Sequence, residues 1–260
     1  MRKAKGFTPL EIRISNRESE RFLTGFTLVE LLVVIAIIAI LMAIIMPIFR
    51  IAKERTREAI CKANLRSVGI GLLMYSDEND NTMADSSKTN GFLWYDSPGN
   101  FKKTNDRKAY WGVAYINYVI ETKVFGCPSL RRVPELIYSV DPESIQEAAF
   151  GLNVNISGKN TDAIRHHSQF IVAHDHVEPK MEQGSRDMFH NDGPGTMNLT
   201  HYREGGKRAR FYRDIFRHNI RIYERSRTGG RANILWLDGH VSSLEETTGD
   251  NVPERWYTGE

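Results

Sequence analysis

Sixteen consecutive apolar residues, Leu31 to Met46, constrain this chain more than any other feature it carries. With Phe26, Leu28, Val29, Ile48 and Phe49 on its flanks, the segment approaches the twenty or so residues a helix needs to cross a bilayer. One carboxylate, Glu30, stands near its start. A charge inside hydrocarbon costs from roughly 2.5 kcal/mol upward and persists only with a partner or a function. A cut after Gly25 supplies a partner, because the new α-amino group of Phe26 would lie at the depth of Glu30. A formed helix holds Phe26 away from its own Glu30, so the pairing works between neighbouring chains staggered in a bundle. On this reading the segment assembles molecules as well as anchoring them.

Gly25-Phe26-Thr27-Leu28-Val29-Glu30, running into Leu-Leu-Val-Val-Ile-Ala-Ile-Ile-Ala-Ile-Leu, resembles almost letter for letter the processing site of type IV prepilins and type II secretion pseudopilins. The resemblance implies that a membrane-bound prepilin peptidase cuts after Gly25 and methylates Phe26, and that Glu30 registers the subunit in a filament. It also implies partners beyond the peptidase: other pilin or pseudopilin subunits, the pilus or secretion assembly platform, and the inner membrane. The implied fold is α+β and pilin-like, a long N-terminal helix packed on an antiparallel β-sheet. Its parts would be a leader at 1–25, a transmembrane and filament half-helix at 26–48, an amphipathic half-helix at 49–80 and a globular domain at 81–260. The competing reading is an ordinary membrane anchor or signal peptide with an incidental glutamate.

Charge agrees with a leader that is removed. Residues 1–25 hold six Lys/Arg and three Glu, which leaves 29 basic and 29 acidic residues in the remainder. That remainder is formally neutral, and no nucleic-acid partner is expected of it. Cations flank both ends of the apolar run, so the positive-inside count is nearly balanced; the prepilin resemblance places the C-terminal domain outside the cytoplasmic membrane. The leader has no apolar core of its own, unlike a conventional signal peptide. Gly6-Phe7-Thr8-Pro9-Leu10-Glu11 echoes the processing site without an apolar run behind it.

Beyond Pro47, which favours a kink, Cys61, Leu65, Val68, Leu72 and Tyr75 recur at helical spacing and define one apolar face. The equivalent earlier positions are Glu54 and Glu58, so the face is expected to begin at Cys61. Ser76 to Asn81 should end the helix. Asp77, Asn79 and Asn81 are spaced like the opening of a calcium loop, but Thr82 and Lys88 stand where a Gly and a bidentate Glu are required. Residues 84–106 read as a long surface loop, 111–119 as a short amphipathic helix, 123–129 as a strand and turn, and 142–149 as a short helix. Residues 170–173 and 210–216 read as strands. Ala232 to Leu237 and His240 to Leu244 flank Asp238-Gly239, a two-residue hairpin signal whose turn positions both favour positive φ.

This hairpin is similar to a C-terminal motif of prepilin-type proteins of planctomycete- and lentisphaera-like bacteria, a His, nine residues, then Asp-Gly. Removing residues 219–228 places His218 nine residues ahead of Asp238, so the resemblance implies His218, Asp238 and Gly239 as the motif, with a loop or hairpin inserted. The two cysteines, Cys61 and Cys127, form either a disulfide or two buried thiols. A bridge closing about 66 residues is worth on the order of 4 kcal/mol in the chain-entropy model, and an exported compartment permits it.

Chemistry-bearing candidates are His166, His167, His174, Asp175, His176, Glu178, His190, Asp192, His201, His218, Asp238 and His240. His174 and His176 share one face of a strand, which is half of a zinc or iron site, but spacing fixes no third ligand. The ordinary reading is hydrogen bonding in polar loops, and neither a metal, a cofactor nor catalysis is expected. The function read from the sequence is a structural pilin or pseudopilin subunit, minor or specialised. The alternative is a membrane-tethered extracytoplasmic binding or metal-dependent catalytic domain that uses the prepilin route for export.

Overall fold

The structure, a computed structural model, describes residues 26–119, 121–130, 147–181, 187–189, 199, 212–223 and 226–260, with the side chains of 221–223 and 226–228 left aside. Leader residues 1–25, Gly25 and the Gly6–Glu11 echo among them, lie outside the described residues, as do His190, Asp192, His201 and most of the helix expected over 142–149. The chain divides into two compact units between Pro47 and Ile48.

Helix α1, Leu28–Glu78, is assigned without a break through Pro47. In the first unit its side chains are apolar on every side and exposed, from Leu28 through Met46. It is long and apolar enough to cross a membrane. A helix with no polar face and no protein cover has to be covered by lipid or by other chains.

In the second unit α1 acquires a buried face. Cys61, Leu65, Val68 and Leu72 are fully enclosed, as their spacing predicts. That face starts earlier than the apolar pattern does, because Glu58 is also buried and Glu54 half-buried in the same register. Glu58 pairs with Lys62 at 3.0 Å and accepts from Ser243 at 3.2 Å, with Asn219 as a further partner. Glu54 accepts from Ser129 Oγ at 2.7 Å. These bonds satisfy carboxylates that would otherwise be costly to bury.

The helix lies on a five-stranded sheet in the order β5-β3-β4-β8-β9. Strands β3 (Phe150–Asn153), β4 (Ile171–Asp175), β8 (Arg231–Trp236) and β9 (Val241–Glu245) are antiparallel to their neighbours, and β5 (Lys180–Met181) runs parallel to β3. The arrangement is α+β and pilin-like. Contact between helix and sheet is close: a Cβ on Gly69 would meet Leu235 Cδ1 at 2.6 Å. Because Ala173 pairs with Leu235, the α1-covered face of β4 carries Ala173 and Asp175. His174 points the other way, stacked on Phe189 at 4.7 Å.

Several local expectations change in the structure. The loop over 84–106 contains a small hairpin, β1 (Tyr95–Ser97) and β2 (Asn100–Phe101), turning at Gly99 with φ of 80°. Its Trp94 is buried among Tyr110 and Phe125. Residues Trp111–Tyr115 form a 3-10 turn rather than a longer helix. Thr122–Phe125 is also 3-10 rather than strand, closed by Gly126 N–H donating to Lys123 at 2.9 Å. Residues 147–149 are not helical and lead directly into β3. Residues 212–215 are helical, with Phe216 N–H donating to Tyr212 at 3.1 Å; Tyr212, Ile215 and Phe216 share a helical face.

The β8–β9 hairpin forms where expected, with a different turn. Gly239 has φ of 85° but Asp238 does not adopt positive φ. Gly239 N–H donates to Trp236 O at 2.9 Å and Trp236 N–H to His240 O at 3.0 Å, which makes a three-residue loop closed by a glycine.

Candidate functional site

Two places in the chain concentrate polar chemistry. The first is the start of α1. Thr27 N–H and Thr27 Oγ1–H both donate to Glu30 Oε2, at 2.8 and 2.7 Å, and Glu30 N–H donates to Thr27 Oγ1 at 3.2 Å. This is a reciprocal capping box: Thr caps the helix and the Glu three residues on returns to the cap's own N–H. Thr-Leu-Val-Glu spells the motif in the sequence, where the oily surroundings of Glu30 drew attention to a partner in another chain instead. Both local donors use Oε2, so among the described residues Oε1 remains for a further donor. Phe26 precedes the helix and is exposed.

The second place is enclosed between α1 and the sheet in the second unit. The ligand atoms of Cys61, Cys127, Asp175 and His218 all lie within 4.8 Å of one another. Four distant segments deliver them. Helix α1 brings Cys61 on its buried face, and the turn after Thr122–Phe125 brings Cys127. The end of β4 brings Asp175, and the segment after the 212–215 helical turn brings His218. Cys61 donates to Asp175 Oδ1 at 3.3 Å, His218 Nε2 lies 3.2 Å from Asp175 Oδ2, and Cys127 Sγ lies 3.6 Å from His218 Nε2. Cys61 and Cys127 are therefore two buried free thiols interleaved with a carboxylate and an imidazole, not a bridged pair.

Arg217 completes the group. Its Nη2 donates to Asp175 Oδ1 and to Ala149 O, both at 2.6 Å, and Asn233 N–H donates to Asp175 Oδ2 at 2.8 Å. Burial alone would raise the Asp175 pKa, but the charges of Arg217 and His218 hold it below the usual carboxylate range. Burial alone would lower His218, but Asp175 pushes it up to about 11. Burial pushes the Cys61 thiol up; Cys127 is held down against burial by the Cys61 hydrogen bond and the Arg217 charge. The arrangement favours an anionic Cys127 and an anionic Asp175 beside fixed positive charge, with Cys61 as a neutral thiol donor.

His174 and His176 do not join this group, although their rings are only 5.4 Å apart. They occupy the opposite side of the strand, where His174 Nε2 faces Tyr257 OH at 3.4 Å and burial lowers the His174 pKa to about 4. Glu178 N–H donates to His176 Nδ1 at 2.9 Å. His167 Nε2 contacts Thr161 O at 3.0 Å, and His166 precedes the 3-10 turn His167–Gln169 without a side-chain capping bond. Asp238 is a turn residue, its Oδ1 accepting from His240 N–H at 3.1 Å and contacting His240 Nδ1 at 2.5 Å.

His218 exchanges backbone hydrogen bonds with Arg231, at 3.2 and 2.8 Å. Between them β6 (Arg221–Tyr223) and β7 (Ser226–Thr228) form a hairpin. Asp238 lies beyond the far end of β8, about 20 Å along the strand from Arg231. His218 and Asp238-Gly239 therefore serve different places in the fold.

With these sites described, comparison with known proteins adds one result. Residues 24–46 match the family model of the prokaryotic N-terminal methylation motif. The chain thus carries a prepilin-type processing segment ahead of an α+β domain, with the one long apolar helix among the described residues in the position of a membrane anchor. No curated protein and no solved structure matches the chain.

Proposed function

We propose that this protein is a structural subunit of a type IV pilus or a type II secretion pseudopilus, minor or specialised rather than the bulk component, and that it catalyses no reaction itself. Prepilin peptidase cuts between Gly25 and Phe26 and methylates the new terminus. The processed subunit waits in the inner membrane with residues from about 49 onward outside the cytoplasm. The assembly platform then draws it, with other pilin or pseudopilin subunits, into a filament.

The observation that carries this reading is the combination at the start of α1: a methylation motif over residues 24–46 on a helix whose apolar surface is exposed all round. The capping box supports it further. Glu30 holds its own helix start through Oε2 while Oε1 is left for the amine of a neighbouring chain's Phe26. Glu30→Ala should abolish incorporation into filaments while leaving processing and the folded domain intact, read by filament shearing and immunoblotting. Unimpaired incorporation of that variant would contradict the reading and favour a domain merely tethered by the helix.

A further inference from the structure

We propose that Cys61, Cys127, Asp175 and His218 bind one divalent transition-metal ion, preferentially zinc, in a closed structural site that fastens α1 to the sheet. The donor atoms converge, all within 4.8 Å of one another, and their shortest separations match coordination spacing. A tetrahedral ion with bonds of about 2.3 Å to sulfur and about 2.0 Å to nitrogen or oxygen holds its donors roughly 3.3–3.8 Å apart. The separations found are 3.3 Å for Cys61–Asp175, 3.2 Å for His218–Asp175 and 3.6 Å for Cys127–His218. Two thiolates, an imidazole and a carboxylate in this geometry suit zinc better than a hard cation such as calcium.

The surroundings supply what a metal centre needs outside its ligands. His218 presents Nε2 to the cluster; its Nδ1 lies 3.8 Å from Glu54 Oε1, too long for a hydrogen bond but on the side from which a carboxylate orients a coordinating ring. Asp175 is held by Arg217 and by the Asn233 N–H. Charge also closes. Two thiolates, one carboxylate and a dication leave one net negative charge, and the buried guanidinium of Arg217 cancels it. Coordination displaces the protons of the thiols and of His218 Nε2 to solvent, with no change of oxidation state.

All four ligands are buried. Four buried protein donors fill a tetrahedral shell and make a structural site; a catalytic zinc keeps a position open. The ion would tie together α1, the Cys127 turn, β4 and the segment bearing His218. A Cys61–Cys127 disulfide would consume both sulfur ligands, so the two chemistries exclude each other. The inference does not depend on whether the subunit enters a filament.

The test uses the full chain, purified in detergent without chelators, incubated with zinc and desalted. Elemental analysis should find one zinc per chain, and mass spectrometry of the unreduced protein should find both cysteines free. Cobalt in place of zinc should give intense sulfur-to-metal absorption in the near ultraviolet. Cys127→Ser should roughly halve that band, leaving the Cys61 contribution, or lose the metal outright, and His218→Ala should lose stoichiometric metal, while Asp238→Asn at the other end of β8 should keep both. If the cysteine or histidine variants do not fold, the wild-type protein still decides the matter. Absence of stoichiometric metal in wild-type protein, an intact Cys61–Cys127 bridge, or full metal retention by both ligand variants would overturn the proposal.

Discussion

The two halves of α1 use the same secondary structure to opposite ends. From Leu28 to Met46 every face is apolar and exposed, and the one carboxylate, Glu30, is engaged, among the described residues, by Thr27 three residues before it. From Glu54 to Ser76 a single face is buried, and its carboxylates are engaged by residues as remote as Ser129 and Ser243. The first half has unfinished contacts and is built to find partners outside the chain. The second half has completed its contacts inside one domain. A carboxylate's role in this helix is therefore set by what surrounds it, not by the helix.

Substitutions should separate the halves. The largest effect is expected at the buried cluster: Asp175→Asn leaves Arg217 enclosed without its countercharge and should cost about 3–5 kcal/mol. Thermal unfolding of the full chain in detergent would measure it, with membrane fractionation unchanged. Leu65→Ala and Leu72→Ala, both enclosed between α1 and the sheet, should each cost about 2–5 kcal/mol. Ile38→Ala, in the exposed half, should leave the unfolding midpoint of the domain where it is.

Acid should act on the domain against which the second half packs. His174 is buried neutral with its pKa lowered to about 4, against about 6.5 in an unfolded chain. Because the folded form resists protonation, stability is complete above pH 6.5 and falls as pH drops toward 4. The loss from this residue is about 2 kcal/mol at pH 5. Denaturant titrations at pH 7 and 5 would show it, and His174→Gln should shrink the difference. Smallest of all, Thr27→Ala removes the hydroxyl that donates to Glu30 Oε2 and accepts from Glu30 N–H, leaves the backbone donor in place, and should cost the helix start about 1 kcal/mol. Amide exchange over the first turn should register that change, with the domain unaffected.

Some of this was legible in the sequence and some could not be. The apolar run and the Cys61–Leu72 face were readable because a sustained period leaves few alternatives. The polar continuation through Glu54 and Glu58 was not, since an apolar count stops where carboxylates begin. Residues 212–216 were read as strand because five residues hold too few repeats to separate a period of 2 from one of 3.6. The cluster was the hardest. His174-Asp175-His176 drew attention to two imidazoles on one face of β4, yet the side chain that meets Cys61 is the carboxylate on the other face. Cys61, Cys127, Asp175 and His218 are spread over four segments with no short ligand spacing, and only the tertiary fold brings them together. The capping box, by contrast, is fully written in Thr27-Leu28-Val29-Glu30.

The processing step is the claim on which the assembly account rests, and one measurement reaches it directly. Intact-mass and N-terminal peptide analysis of the protein isolated from membranes of its own cells should find a chain beginning at N-methylated Phe26, with residues 1–25 gone. A chain that retains Met1 to Gly25, or that begins anywhere other than Phe26, would contradict it.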